Sequence, residues 1–435
     1  MLATLLALLA LIIIVLALSF GPPLRLPVRG SSRVAVFLHH WGLHAVLTVA
    51  GGAGPGTAAN PQAQTVGRLP QTTQGIPDGG PFIRYAEEAV ALAYSTAGVL
   101  FGAVVNLPLT AVPGFLRGLI VTVQASGGTG ANVPTAAADS PWNTISQLTL
   151  RDASGQPMYP AIDGYGLFLI NLYSGMTGQG GQQAPNLIPS FVTMVVVSGT
   201  GAGNFTFKLW VPLEYNSSAY CSLPADNSAE LPKLLIQLNG NATVYGVVPS
   251  TVPTLTLTVE ESYWAVPNNM PDLAPYDVGA SAQWLLTTSG QNPPSNAYMR
   301  VLDQGVGQFV HTKIYLYRDS LNARQDFFPA SAEFWVDQFQ YRFERIDDRY
   351  DLMFKAFGGQ ITRPTGVIVY TWRNAIQDQI SKADDAEAVL VTTGSTKVEV
   401  GGTWLTNANA PAQLTCYTGM IFPGPSGYPF DSQAH

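Results

Sequence analysis

The sequence is poor in charged residues, and this scarcity limits what the chain can bind. Only 11% of its 435 residues are Asp, Glu, Lys or Arg, whereas soluble domains average about 25%. The 21 basic residues are thinly spread and the net charge is −7, so no basic stripe is available to release counterions from nucleic acid. We therefore expect no direct nucleic-acid binding. The apolar share of 47% excludes a disordered chain.

Cysteine and histidine are also scarce, which argues against redox and metal sites. The two cysteines, Cys221 and Cys416, are too far apart for a CxxC pair and too few for a four-ligand zinc site. We interpret both as small buried apolar side chains. His311 lies in a predicted strand and is interpreted as structural. One further group of histidines has no carboxylate or thiol nearby and favours apolar packing over metal binding: His39, His40 and His44.

The compact motifs of common enzyme classes are missing. The chain contains no nucleophile elbow, phosphate-binding loop, HExxH or EF-hand pattern. Glu260 and Glu261 are neighbours on a strand, so they point to opposite faces and cannot form the facing carboxylates of a glycosidase. Asp347, Asp348 and Asp351 are interpreted as a solvated helix N-terminus. We predict that the protein is not an enzyme and has no catalytic, cofactor-binding or metal-binding residue.

The N-terminus carries one long apolar run. Residues 2–20 include no charge, and a stretch of about 20 residues crosses the hydrocarbon of a bilayer. We interpret residues 1–33 as an apolar helix with a basic flank that anchors the chain in a membrane. A cleaved signal peptide and a start-site artefact, in which this stretch is never translated, are the alternatives.

The charges that follow this run predict an orientation. Arg25, Arg29 and Arg33 come directly after it, and no acidic residue occurs before Asp78. By the positive-inside rule such arginines stay on the cytoplasmic side, so we expect these three to be membrane-proximal. Residues 34–80 are rich in Gly, Ala and Pro and are expected to form a tether.

From residue 81 onward the dominant pattern is an alternation of apolar and polar residues, which predicts half-buried strands. It is clearest at 205–213, 255–259 and 338–343. Further strands are predicted at 119–123, 145–151, 191–197, 234–238, 311–317, 366–372, 388–392, 397–400 and 413–421. The segments between strands are rich in Gly, Pro and Asn rather than amphipathic, so an antiparallel sandwich or barrel is favoured over βαβ units.

Two short helices interrupt the strands, at 162–173 and 347–357. Each follows a predicted strand, at 145–151 and at 334–344, and further strands come after it. The halves therefore repeat one pattern at an offset of about 190 residues. We predict an all-β fold of two consecutive eight-stranded jelly-roll β-barrels with short helices, preceded by the N-terminal apolar helix. The predicted domains are 81–270 for the first jelly roll and 271–435 for the second.

Short phrases in both halves resemble a known family. They are Leu107-Pro108-Leu109 and Pro113-Gly114-Phe115-Leu116-Arg117-Gly118, then Gly366-Val367-Ile368-Val369-Tyr370 and Lys397-Val398-Glu399-Val400. Together with the strand order and the mid-barrel helices, they resemble the double jelly-roll major capsid proteins of tailless, membrane-containing icosahedral phages, the tectivirus-like group. The resemblance covers residues 81–425.

The resemblance implies a structural protein of a virion, with no cofactor. In this family the two upright jelly rolls of each chain assemble as homotrimers of roughly hexagonal footprint, which tile an icosahedral shell over an internal membrane. The implied partners are other copies of the chain, virion proteins at the vertices, and the viral membrane through the N-terminal segment. The implied location is the virion, after assembly in the host cytoplasm. Low charge fits this role because interfaces are depleted of charged residues.

Members of this family contact the membrane through a short segment, so a spanning run at 2–20 departs from the family pattern. Two other functions therefore stay open. A secreted or membrane-anchored two-barrel β-sandwich hydrolase acting on glycans would show a groove with convergent Asp or Glu from several strands. A cell-surface adhesin or sugar-binding module held by the N-terminal helix would be exported, which the arginines after residue 20 oppose.

Overall fold

The computed structural model describes residues 80–152, 154–174, 194–215, 219–226, 231–275, 277–303, 309–356, 363–372, 389–392 and 394–424. All of them lie in one compact unit, Thr72–His435. The predicted apolar helix, with Arg25, Arg29 and Arg33, and the tether up to residue 79 lie outside these ranges. Within the described ranges, no helix is both long and apolar enough to span a membrane.

The first half of this unit is built mainly of strands. They are β1 (Glu87–Val99), β2 (Val104–Pro108), β3 (Gly114–Ser126), β4 (Thr129–Gly130), β5 (Thr135–Ala136), β6 (Ile145–Arg151), β7 (Pro157–Ile162), β8 (Gly199–Thr200), β9 (Phe205–Pro212), β10 (Leu223–Pro224), β11 (Lys233–Leu238), β12 (Tyr245–Val247) and β13 (Thr254–Ala265). The helices are Gly80–Tyr85, the 3-10 turn Trp142–Thr144, Gly164–Tyr173 and Asn241–Val244. We call Gly164–Tyr173 the first-barrel helix.

The second half has a similar composition of elements. Its strands are β14 (Ser281–Thr288), β15 (Tyr298–Asp303), β16 (Phe309–Arg318), β17 (Ser331–Val336), β18 (Phe339–Arg345), β19 (Val367–Thr371), β20 (Leu390–Val391), β21 (Val398–Thr403) and β22 (Gln413–Phe422). Its helix, Ile346–Ala356, is called the second-barrel helix.

Each half folds into two antiparallel sheets. In the first half one sheet has the order β1-β13-β3, with β9 and the short β10 both pairing with β3, and the other has the order β2-β11-β6-β7. In the second half the orders are β14-β22-β16, with β19 and the short β20 both pairing with β16, and β15-β21-β17-β18. Two small ribbons, β12-β5 and β4-β8, complete the first half. Two packed four-strand sheets are the architecture of a jelly roll.

The chain visits the sheets in the same sequence in both halves. It runs through β1, β2, β3, β6, β7, the first-barrel helix, β9, β11 and β13, and then repeats this path through β14, β15, β16, β17, β18, the second-barrel helix, β19, β21 and β22. Corresponding strands therefore occupy corresponding sheet positions. This repeat confirms the predicted all-β fold of two consecutive jelly rolls with short helices.

The alternating pattern buries one face of each central strand. On β13, Leu255, Leu257 and Val259 are buried, whereas the residues between them are half-buried. Leu257 pairs with Val123 of β3, which in turn pairs with Phe207 of β9. All these side chains are excluded from solvent, so each row across the sheet adds one layer to the barrel core.

The strand predicted at 334–344 is wrong as a single element, because the structure has a hairpin there. β17 ends at Val336, and β18 begins at Phe339. Asp337 adopts a left-handed conformation with φ 53°, and its Oδ1 accepts hydrogen bonds from the amides of Thr396 (2.7 Å) and Lys397 (3.1 Å). The apolar residues shift from even to odd positions across this turn, which is the sequence signal of the reversal.

The longer strands absent from the sequence-based prediction all lie at sheet edges: β1, β2, β7, β14 and β15. An edge strand is less completely covered by other elements than a central strand, so the alternation of apolar and polar residues along it is weaker. β7 also contains Pro157 and Pro160, which an edge strand tolerates because proline cannot donate a hydrogen bond to a neighbouring strand.

The predicted strand at 191–197 is wrong over its described part, 194–197. Of the strand predicted at 388–392, only Leu390–Val391 forms.

Leu257→Ala tests this account of the core. Because Leu257 is fully buried in the first barrel, its truncation should lower the free energy of unfolding by about 2–5 kcal/mol. The neighbouring change Thr256→Ala, on the half-buried outer face, should alter it by no more than about 0.5 kcal/mol. Denaturant unfolding monitored by tryptophan fluorescence measures both. Equal effects would contradict the assignment of faces.

Candidate functional site

The two neighbouring glutamates lie on opposite faces of β13, as predicted. Glu261 is buried, and its carboxylate accepts hydrogen bonds from the Thr110 amide (2.9 Å) and hydroxyl (2.6 Å). Glu260 lies on the outer face, where its carboxylate is 3.7 Å from Lys208 Nζ. Asp347 and Asp348 occupy the exposed first turn of the second-barrel helix. These carboxylates therefore do not converge on one groove.

The predicted structural histidine and cysteines are all buried. The ring of His311 lies 5.2 Å from those of Tyr215 and Trp284, and its Nδ1 is 3.1 Å from Thr312 Oγ1. Cys221 and Cys416 are free thiols, and burial raises the pKa of both. Among the described residues, no group of three His, Cys, Asp or Glu side chains is arranged to hold a metal ion.

The most elaborate set of side-chain contacts joins the two barrels, and we call it the junction. Asp139 of the first barrel forms ion pairs with Arg318 and, at 2.8 Å, with Arg324 Nε of the second barrel. Arg324 Nη1 also donates to the Tyr165 hydroxyl at 2.7 Å. Both arginines lie over the Tyr165 ring. A single acidic residue thus holds two cations from the other half of the chain.

Asp163 adds a second polar contact to the junction. It caps the first-barrel helix, where its side chain accepts from the Gly166 amide at 3.2 Å. The Tyr417 hydroxyl of β22 donates to its other oxygen at 2.9 Å. Burial raises the pKa of Asp163, and the Tyr417 hydrogen bond partly opposes that rise. A side chain at Gly166 would collide with the Tyr417 ring, so this glycine permits the close approach.

Apolar side chains complete the junction. Tyr215, Tyr220 and Cys221 of the first barrel pack in one cluster with Ala282 of β14 and Ile421 of β22. Edge strand β14 lies directly against edge strand β7. As a result nearly every residue of β16 and β22 is buried, on both faces of the sheet. The first barrel therefore covers the outer face of one sheet of the second barrel.

Within the described residues, the equivalent face of the first barrel has mainly exposed and half-buried side chains. Its strands β1, β13, β3 and β9 correspond to β14, β22, β16 and β19 in the repeat. One row across its outer surface pairs Leu92 with Glu260, Glu260 with Ile120, and Ile120 with Trp210. Leu92 is 62% exposed, and Val90 beside it is also exposed. We call this surface the open face.

In the second barrel, β18 and the second-barrel helix correspond to β7 and the first-barrel helix, and they have exposed apolar side chains. β18 exposes Phe339 (78%), Tyr341 and Phe343 (62%), and Leu352 of the second-barrel helix is exposed as well. We call the three aromatic residues the aromatic edge. The alternation at 338–343 predicted a buried face here, which is wrong, because β18 is the last strand of its sheet. Only the topology identifies it as an edge.

Tyr417→Phe tests the junction. The change keeps the ring against Gly166 and removes the hydrogen bond to Asp163, which should cost about 1–3 kcal/mol of unfolding free energy where the carboxyl is ionised. Because the folded-state pKa of Asp163 is raised above its ordinary value of 3.8, the protonated form favours folding, and stability falls as pH rises through that pKa. The deficit of the variant should therefore grow with pH over the same window.

The measurement is the unfolding free energy of both proteins across acid to neutral pH. Tyr263→Phe, at a half-buried tyrosine of β13, is the matched control and should show no such dependence. A deficit in Tyr417→Phe that stays constant over this window would show that the hydroxyl does not bond an ionisable carboxyl.

Comparison with known proteins identifies the fold. No protein-family model and no curated protein matches the sequence. The crystal structure of the major capsid protein of Sulfolobus Turreted Icosahedral Virus matches with a TM-score of 0.54 and 13% identity, covering 78% of this chain and 97% of that one. PBCV-1 VP54 matches at 0.57 and 13%, covering 78% and 94%.

The Faustovirus major capsid protein matches at a TM-score of 0.50 and 9% identity, covering 82% of this chain and 92% of that one. The coverage extends over both barrels, because neither barrel alone is four-fifths of the chain. At identities this low the similarity establishes architecture rather than close relationship. The chain has the double jelly-roll fold of the major capsid proteins of icosahedral viruses.

Proposed function

We propose that this chain is the major capsid protein of an icosahedral virus and that its working form is a homotrimer. The observation that carries the proposal is the junction, together with the two uncovered surfaces that correspond to its two sides. The first barrel presents its helix side to the second barrel, and the second barrel presents an outer sheet face to the first. The open face is the first barrel's equivalent of that outer sheet face. The aromatic edge belongs to the second barrel's equivalent of that helix side.

Such surfaces make a head-to-tail contact between chains. The aromatic edge and second-barrel helix of one copy would pack on the open face of the next, in the way that β7 and the first-barrel helix pack on β14 and β22 within the chain. A heterologous contact closes into a ring when its rotation allows. A closed ring of three chains would contain six similar barrels and have the roughly hexagonal outline that the family resemblance implies.

The composition supports this assignment. Leu92, Ile120 and Trp210 on the open face and Phe339 and Phe343 on the aromatic edge are apolar or aromatic, and aromatic residues are enriched in interfaces while charges are depleted at their cores. Leu92 on the open face and Phe339 and Phe343 on the aromatic edge are exposed, and clustered exposed apolar side chains mark interaction sites. The glycan-hydrolase and adhesin alternatives are not favoured, because Glu260 and Glu261 face apart and the solved structures of the same fold are capsid proteins.

The remaining parts of the proposal come from the sequence and the family resemblance. We assign residues 81–270 and 271–435 to the two jelly rolls. The shell would enclose an internal membrane of a phage, with Arg25, Arg29 and Arg33 membrane-proximal beside the apolar run. Virion proteins at the vertices would be further partners, and assembly would take place in the host cytoplasm. We assign no enzymatic role to the chain.

Leu92→Glu tests the trimer. The full chain, kept in mild detergent because of its apolar N-terminal run, should have the mass of a trimer by light scattering after size exclusion. Leu92→Glu places a charge in the proposed contact and should yield monomers with unchanged circular dichroism. Leu321→Glu, at a leucine that is 73% exposed on the turn after β16, is the matched control and should remain trimeric. A monomeric wild-type chain, or a trimeric Leu92→Glu, would contradict the proposal.

A mixing experiment tests the head-to-tail direction. Phe343→Glu damages the aromatic edge and should also give monomers. A mixture of Leu92→Glu and Phe343→Glu chains retains one intact surface on each, so it should form heterodimers that cannot close into a ring. If the two variants remain monomeric together, the contact is not between these two surfaces.

A further inference from the structure

The core of the second barrel contains a buried pair of opposite charges. Lys313, in the middle of β16, has a side chain that is 0% exposed, and Asp303, at the end of β15, has one that is 2% exposed. Lys313 Nζ lies 2.6 Å from Asp303 Oδ2. β16 and β15 belong to the two facing sheets of the barrel. The pair therefore connects the sheets through the interior.

The first barrel has a buried ion pair of its own, Arg117 with Glu214, but none in the middle of β3. That part of β3, the strand that corresponds to β16, has apolar side chains that are fully buried, Leu119, Val121 and Val123. A buried ion pair is costly because both charges lose their hydration, and replacing it by apolar residues is often neutral or stabilising. The retained lysine and aspartate in the second barrel therefore suggest a role other than packing.

Three further side chains surround the pair. The Tyr315 hydroxyl donates to Asp303 Oδ2 at 2.7 Å. Lys313 Nζ donates to Thr418 Oγ1 at 3.0 Å. Cys416 Sγ is 3.4 Å from both Thr418 Oγ1 and Asp303 Oδ2. Burial raises the pKa of Tyr315 and Cys416, so both keep their hydrogens at neutral pH. Amine, hydroxyl, thiol and carboxyl thus form a closed ring of hydrogen-bonding groups.

We propose that Lys313 and Asp303 condense to an intramolecular isopeptide bond that joins the two sheets of the second barrel. A proton first passes from the ammonium to the carboxylate, which gives a neutral amine and a carboxylic acid. The lone pair of Nζ then attacks Cγ, and the Nζ–Cγ bond forms. One carboxyl oxygen leaves as water, taking its own hydrogen and one from the nitrogen. The products are an amide and one water molecule, and no oxidant or other reactant is needed.

The surroundings assist each stage of this reaction. Two groups held in contact react with effective concentrations far above those in solution, when the reacting atoms are about 3–3.5 Å apart, and Cγ is bonded to the oxygen that Nζ contacts. The Tyr315 hydroxyl donates to Asp303 Oδ2, the oxygen that leaves as water, and stabilises the charge on that oxygen as its bond to Cγ breaks. Thr418 and Cys416 form a path that carries the hydrogen from nitrogen to the leaving oxygen. All three contact the reacting groups directly, Tyr315 and Cys416 at Asp303 Oδ2 and Thr418 at Lys313 Nζ.

Peptide mapping of the full chain tests this proposal. The purified protein is denatured, digested with trypsin and examined by mass spectrometry. Asp303 and Lys313 lie in one tryptic segment, because no Lys or Arg occurs between Arg300 and Lys313. The expected result is a looped peptide of residues 301–318, lighter by one water than the linear chain and uncut after Lys313. A linear, unmodified peptide of residues 301–313 would show that the pair is only an ion pair and would overturn the proposal.

Two controls separate the reaction from handling effects and from folding. Lys397 and Glu399 also lie in contact, at 3.1 Å, but Lys397 is partly exposed, so no link should form between them in the same digest. Lys313→Arg cannot condense, so it should be cut after residue 313 and give only the linear peptide 301–313. Thr418→Val removes the hydroxyl that passes the hydrogen on. The linked fraction should fall tenfold or more, because a positioned proton-transfer group contributes a rate factor of at least that size. An undiminished fraction in Thr418→Val would remove Thr418 from the path.

The outcome does not depend on the proposed function. Formation of the bond requires only a folded second barrel, whereas the trimer requires the open face and the aromatic edge. A looped peptide from a monomeric chain, or a trimer without the link, would therefore tell the two proposals apart.

Discussion

The burial of one sheet of the second barrel on both of its faces is the constraint on which the arrangement of this chain depends. β16 and β22 face their own barrel core on one side and the first barrel on the other. A sheet covered on both sides needs apolar residues at successive positions, as at Ile314–Tyr317 of β16 and at Met420 and Ile421 of β22. The first-barrel helix can reach this sheet because Gly166 leaves room for Tyr417. The position of one barrel against the other is therefore set by close packing and not by a flexible linker.

The few charges of the chain are concentrated where a contact must be specific. Asp139 binds two arginines across the junction. In the first barrel, Arg117 contacts Glu88 and Glu214, and Glu214 also accepts from Trp264 Nε1 at 2.9 Å. Breaking a buried pair of this kind is strongly destabilising, so each pair specifies one arrangement of its elements. Most other surfaces are left to apolar and uncharged polar contacts, as suits a protein whose surfaces become interfaces.

The internal repeat gives the chain two complementary ends. Within the chain, one barrel supplies the helix side and the other supplies the sheet face. The unused sheet face belongs to the first barrel and the unused helix side to the second. In the proposed trimer, each of these two surfaces would be covered by the neighbouring copy of the chain. A duplication of one barrel is enough to produce it, because each copy carries both surfaces.

The sequence by itself determined the fold class and the repeat. Alternation at β9 and β13 predicts strands because a period of two places apolar residues on one face, and the two helices mark corresponding points of the halves. The same reasoning placed Glu260 and Glu261 on opposite faces. Alternation did not identify β1, β2, β7, β14 and β15. These are edge strands, and which of their residues are buried depends on what lies beside them in space.

Only the tertiary structure decided which apolar faces are buried. The aromatic residues of β18 have the same alternation as those of β9, yet Phe343 is exposed and Phe207 is in the core. Likewise, no local pattern brings Lys313 to Asp303, or Asp163 to Tyr417, which is 254 residues away. Periodicity reports the geometry of one strand, whereas burial and side-chain contacts depend on the strands and helices that the topology places around it.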